Sequence, residues 1–64
     1  MTLGRRVKQV RTARGLSQVA LAARARVTQG FVSKLEAGVK RNPSVAVVTR
    51  LAKALKVPVA ALLE

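Results

Sequence analysis

The stretch from Leu16 to Gly38, LSQVALAARARVTQGFVSKLEAG, constrains the fold more than any other part of the chain. It carries two helix starts, at Ser17 and Thr28, each a residue whose side-chain oxygen caps a helix N-terminus. Leu21, Ala22 and Ala25 recur at helical spacing after the first start, and Val32 and Leu35 after the second. Only Arg26 and Val27 are left to connect them. The stretch therefore reads as two short helices joined by a tight turn. Ala22 is small enough for a neighbouring helix to cross closely. On a helical wheel the second helix turns Thr28, Val32 and Leu35 inward, with Phe31 flanking. Gln29, Gly30, Ser33, Lys34 and Ala37 form the opposite face, and Glu36 lies at the edge of the buried side.

The flanks read as further helices punctuated by Gly and Pro. A first helix is expected from Leu3 to about Arg14, buried through Leu3, Val7 and Val10 and ended by Gly15. A fourth, capped by Ser44 or Asn42, runs to about Leu55 with Val45, Val48, Leu51, Ala52 and Leu55 as its apolar face. A short fifth begins at Pro58, a favoured first helical residue, and carries Val59, Leu62 and Leu63. No stretch alternates with a period of two strongly enough to displace a helix. The expected fold is all-α, a compact five-helix bundle forming a single domain over residues 1–64.

Composition narrows the function. The chain has 13 Lys and Arg against two acids, a net charge of +11 on 64 residues. That density favours a polyanionic partner and electrostatic steering. There is no Cys and no His, so disulfides and thiolate or imidazole metal sites are excluded. A paired-carboxylate site would need Glu36 together with the terminal Glu64. No enzyme, metal or cofactor is expected. Phe31 is the only aromatic, which argues against base-stacking surfaces for single strands or RNA. No apolar run approaches membrane-spanning length, and the N-terminus lacks a signal-peptide core, so a cytoplasmic location is expected. A domain this small buries only about 60% of its unfolded surface, which makes self-association a natural source of stability.

Two helices around a tight turn on a cationic body point to double-stranded DNA, whose major groove admits one α-helix. Alone, Gln29 and Lys34 would be a solvated helix face, and Lys40-Arg41 a solubilising loop. In this setting Gln29, Ser33 and Lys34 are short or flexible polar groups suited to base edges. Gln pairs with adenine and Lys donates to guanine. Gly30 either permits close approach or contributes nothing specific. Ser17 and Gln18 stand at a helix N-terminus, where amides and the dipole favour phosphate. Thr28, at the next N-terminus, is assigned with them, as are Lys40, Arg41 and Asn42 just past the third helix.

The chain resembles the phage repressor and Cro family of helix-turn-helix domains, the xenobiotic-response-element type. The resemblance rests on Arg11, Arg14-Gly15-Leu16-Ser17-Gln18, Leu21-Ala22, Val27-Thr28-Gln29, Val32-Ser33, Leu35-Glu36, Gly38, Arg41, Pro43-Ser44, and Leu51-Ala52 through Leu55, Val57 and Leu62. It implies base reading by the first turn of the third helix, at Gln29, Gly30, Ser33 and Lys34. It implies that Gln18 bonds a phosphate and steadies Gln29, and that Glu36 pairs with Arg11 to lock the first helix to the third. It departs at Arg26, where the family usually has Gly. A non-Gly residue held left-handed there costs about 1–2 kcal/mol, so the turn is reshaped or a phosphate contact by Arg26 offsets the strain.

These readings together predict a sequence-specific, repressor-like transcriptional regulator bound as a homodimer to a palindromic operator, with Val59, Leu62 and Leu63 as candidate dimer interface. No small-molecule effector pocket is evident. A close alternative is an antitoxin-like or restriction-control regulator with a protein partner. A more distant one is a cationic module for membranes or acidic proteins, which would need one continuous amphipathic helix, whereas the apolar residues here are divided among five.

Overall fold

The four longer helices each start where a hydroxyl side chain takes the place of the missing helical acceptor. The computed structural model describes residues 2–40 and 42–63. Among them are five helices and no strand: α1 Leu3–Ala13, α2 Gln18–Ala25, α3 Gln29–Glu36, α4 Val45–Leu55 and α5 Ala60–Leu63. Thr2, Ser17, Thr28 and Ser44 accept the amides of Arg5, Ala20, Phe31 and Val47 respectively. Ser44 therefore caps α4, and Asn42 does not. Thr28 faces solvent as a cap rather than joining the buried side of α3.

Four helices end alike. A residue with positive φ follows each, and the apolar residue after it donates back into the last turn. Leu16, Val27, Val39 and Val57 donate to the carbonyls of Arg11, Ala22, Lys34 and Ala52, at 2.9–3.1 Å. The positive-φ residues are Gly15, Arg26, Gly38 and Lys56. Arg26, at φ 60 and ψ 43, makes the turn between α2 and α3 in the left-handed form without reshaping it.

The core is formed by Val7, Leu21, Ala22, Ala25, Val32, Leu35, Val48, Leu51, Ala52, Leu55 and Leu62. α2 packs against both α3 and α4, while α1 crosses α3 and also meets α4 and α5. The inward line of α1 is Gly4, Val7 and Arg11. Leu3 and Val10, expected at its centre, lie on its flanks. The reason is a close crossing: a Cβ at Gly4 would fall onto the carbonyl oxygen of Leu35 in α3.

Two further expectations are corrected. α5 begins at Ala60 rather than Pro58; just before it, the Pro58 and Val59 carbonyls accept the amides of Ala61 and Leu62, three residues on, as in the tighter turn at a helix start. Val45, expected on the apolar face of α4, is 82% exposed. No described helix is long and apolar enough to cross a membrane.

The crossing at Gly4 makes Gly4→Ala the costliest small substitution in α1. It should destabilise by about 3 kcal/mol, the upper part of the overpacking range. Gly15→Ala, with open space but positive φ, should lose only about 1–2 kcal/mol. Urea unfolding of the two variants tests the order; equal losses would mean that α1 does not approach α3 so closely.

Candidate nucleic-acid interface

A continuous chain of side-chain hydrogen bonds begins inside the core and ends on the exposed face of α3. Arg11 leaves the buried side of α1 and meets Glu36 at the end of α3. Its Nε donates to Glu36 Oε2 at 2.7 Å and its Nη2 to Oε1 at 2.9 Å. The third nitrogen, Nη1, donates to the Leu16 carbonyl at 2.8 Å, so the same guanidinium also fixes the entry to α2. The two side chains are 10% and 3% exposed. Glu36 Oε1 accepts a further bond from Gln18 Nε2 at 3.1 Å. Gln18 Oε1 in turn accepts from Gln29 Nε2 at 3.0 Å. The first residues of α2 and α3 are thus tied to each other and, through Glu36, to α1.

This arrangement decides the charge states. Burial alone would push the Glu36 carboxyl up, but the hydrogen bonds from Arg11 and Gln18, with the charges of Arg11 and Lys8, outweigh it and hold it below its ordinary value. The hydrogen bond to Glu36 raises the Arg11 guanidinium against the opposing effect of burial. Glu36 is therefore an ionised positioning group with no proton to offer chemistry. No group of residues suited to a metal ion exists among the described residues.

Gln29, Gly30 and Lys34 are exposed on one side of α3, with Ser33 half-buried beside them. A Cβ at Gly30 would meet nothing nearer than Thr28 Oγ1 at 4.0 Å, so the fold itself does not require a glycine there. Ser17 and Thr28 are exposed and Gln18 is half-buried. Both hydroxyls are engaged in capping, where they take the Ala20 and Phe31 amides; the earlier amides of each first turn have no acceptor within their own helix. Lys40 and Asn42 are exposed beyond α3. The Lys40 ammonium stands 5.3 Å from the centroid of Phe31. Arg41 lies outside the described residues.

The three residues expected at a dimer face separate. Leu63 is 65% exposed and Val59 half-buried, but Leu62 is 1% exposed. Leu62 fills the chain's own core and is not available to a partner. An apolar groove of about 360 Å³ lies beside α5, lined by Leu3, Asn42, Pro43, Val45, Val48, Val59 and Leu63. Sequence reasoning missed the Gln18–Glu36 bond, which joins residues 18 positions apart. It also missed the left-handed Lys56, although Lys56-Val57 repeats the pattern of Arg26-Val27.

Two short helices fixed at a tight turn, with a polar outer face on the second, define a helix-turn-helix domain. Residues 7–62 match the helix-turn-helix family, and the chain belongs to that family, in its Cro and C1 type. It is similar to the restriction-modification controller protein C.AhdI from Aeromonas hydrophila, with a TM-score of 0.88 and 37% identity over 94% of this chain and 89% of that one. It is also similar to SinR of Bacillus subtilis, the master regulator for biofilm formation, in its complex with DNA. There the TM-score is 0.94 and the identity 33%, over 98% and 100% of the two chains. For the clp gene regulator ClgR from Corynebacterium glutamicum the values are 0.87 and 33%, over 95% and 78%. SinR is also known in complex with SinI. No curated protein sequence matches the chain.

The lowered Glu36 carboxyl has a consequence for stability. Its unfolded value is the higher one, so the folded state binds fewer protons. The contribution is complete above the ordinary carboxylate range and is lost as pH falls through the folded value. Glu36→Gln should remove that acid-side loss and lower stability at neutral pH. Arg11→Met, which strands a buried carboxylate, should cost about 3–5 kcal/mol, and adding Glu36→Leu should restore part of it. Denaturation across pH on the set checks both; additive losses would mean the two residues act independently.

Proposed function

We propose that this helix-turn-helix transcriptional regulator binds a palindromic operator as a homodimer and reads each half-site in the major groove with α3. The reading is that of a single DNA-binding domain in the cytoplasm. The observation that carries it is the hydrogen-bond chain from Arg11 to Gln29, which holds the first residue of α3 in a set direction before DNA arrives. Gln29, Gly30, Ser33 and Lys34 meet base edges, and the missing side chain at Gly30 lets the backbone approach the groove. Ser17, Gln18 and Thr28 meet phosphates through the N-terminal turns of α2 and α3. Lys40, Arg41 and Asn42 hold the backbone on the other side. The relatives are regulators of genes or DNA-linked systems, and the chain is not an enzyme.

Size supports the dimer. The chain measures 23 × 23 × 20 Å, while successive half-sites on one face of B-DNA lie about 34–36 Å apart. One copy therefore reads one half-site. The exposed Leu63 and Val45 and the groove between them are the apolar surface at which two copies meet. Two observations favour a second reading, in which a protein partner also controls the chain. One likeness is to a restriction-modification controller, and another is to a regulator known in complex with SinI.

Selection from a random duplex pool should recover a two-fold symmetric site. On that site Gln29→Ala and Lys34→Ala should each cost about 1–3 kcal/mol and relax the preference at one base pair. Equal losses on random duplex would make them phosphate contacts instead. The log–log salt slope should be about −0.9 for each phosphate neutralised, and a flat response would contradict the electrostatic part of the reading.

A further inference from the structure

Six of the cations outside the proposed reading site gather in one part of the molecule. Two adjoining clefts border α2 and α4. Arg24, Arg26, Arg50 and Lys53 line one. Arg14, Arg24 and Lys56 supply the charges of the other. Arg24 lines both, so six cations form one band. No acid lines either cleft. Glu36, the one acid among the described residues, is bound by Arg11 and Gln18.

Four of the six have a structural task. Arg50 Nε donates to the Ala25 carbonyl at 3.0 Å, and Arg14 Nη2 to the Lys56 carbonyl at 3.3 Å, each serving a helix C-terminus. Arg24 and Lys53 sit in last turns, where a cation suits the helix dipole. Arg26 and Lys56 have no such task. Both are left-handed, at φ 60 and 58, where the other two helix ends have glycine. Glycine takes that conformation freely; Arg and Lys do not. Two strained cations thus stand in one uncompensated band, at positions where glycine would be free of the strain.

We propose that this band is a second DNA-contact surface, which grips the sugar-phosphate backbone on the outer flank of the half-site. It rests on the DNA-binding reading above. Arg26 precedes the α3 cap, Thr28, by two residues, so the band begins beside the first turn of the reading helix. It continues along α4 to Lys56. The other end of α4 carries Val45, in the apolar groove of the dimer face, and the 11 residues of the helix separate the two by about 16 Å. The band therefore faces away from the two-fold axis, toward flanking duplex. The guanidinium fork matches phosphate oxygens, and a duplex supplies them in a continuous row. A duplex that continues outward past α3 runs along the band without a further partner, which favours DNA over an acidic protein.

The test compares the selected operator trimmed to its half-sites with the same operator extended by one helical turn, about 10 bp, on each side. The unaltered chain should bind the extended duplex on the order of ten-fold more tightly, with a steeper salt slope. Arg26→Gly with Lys56→Gly should melt at a higher temperature and bind the trimmed duplex within about two-fold of the unaltered chain, yet lose the gain from the flanks. Arg24→Gln with Lys53→Gln, which leaves both corners intact, should lose the same gain. Equal binding of both duplexes by the unaltered chain, or a flank gain that survives in both variants, would overturn the proposal and leave operator reading standing. A lower melting temperature for the glycine variant would overturn the strain argument. Failure to bind either duplex would overturn the DNA-binding reading and this proposal with it.

Discussion

The pair between Arg11 and Glu36 joins the helix that carries the proposed reading face to the helix that crosses behind it. Two of its hydrogen bonds span the α1–α3 crossing, and a third, to the Leu16 carbonyl, sets the approach to α2. A buried ion pair is not a dependable source of net stability, because desolvation opposes the attraction. Its value here is geometric. A core of Ala, Val and Leu can slide or rotate at modest cost, whereas a two-pronged guanidinium–carboxylate contact allows one arrangement. Gly4 serves the same crossing from the other end of α1, by letting backbone approach backbone where the Leu35 carbonyl would exclude a methyl group.

From Glu36 the constraint passes to the surface. Gln18 is held by the carboxylate and holds Gln29, so the first residues of α2 and α3 share one set of hydrogen bonds. In the proposed reading, phosphate contact at α2 and base contact at α3 are then coupled. A displacement of Gln18 moves Gln29 as well. Glu36 is the one described acid in a chain of net charge +11. It stands where its charge is neutralised at once, so it takes little from the attraction for a polyanion.

Much of this was legible in the chain because it is written in local chemistry. Ser17, Thr28 and Ser44 start helices by capping, and Gly15 and Gly38 end them by tolerating positive φ; both effects act within a few residues. Glu36 stood out because acids are scarce and helical geometry puts it at the buried edge. Its bond to Gln18 was not legible, since it depends on how α2 and α3 are brought together. The inward line of α1 was misread for a related reason: hydrophobicity points to Leu3 and Val10, whereas the crossing uses a glycine and an arginine. Leu62 shows the limit at a chain end. Spacing gave it an apolar face with Leu63, and only packing against α1 and α4 decided that one lies inside and the other out. Lys56 escaped notice because no glycine marks its turn.

The most direct test of this account is a double-mutant cycle on operator affinity between Glu36, inside, and Gln29, outside. Glu36→Gln, Gln29→Ala and the combined variant would be titrated against the selected duplex under conditions where all three are folded. If the hydrogen-bond chain orients the reading residue, Glu36→Gln weakens binding when Gln29 is present and has much less effect once Gln29 is alanine, a coupling of about 0.5 kcal/mol or more. Additive losses would show that Glu36 does not act through Gln29, and would contradict the central role given to this chain.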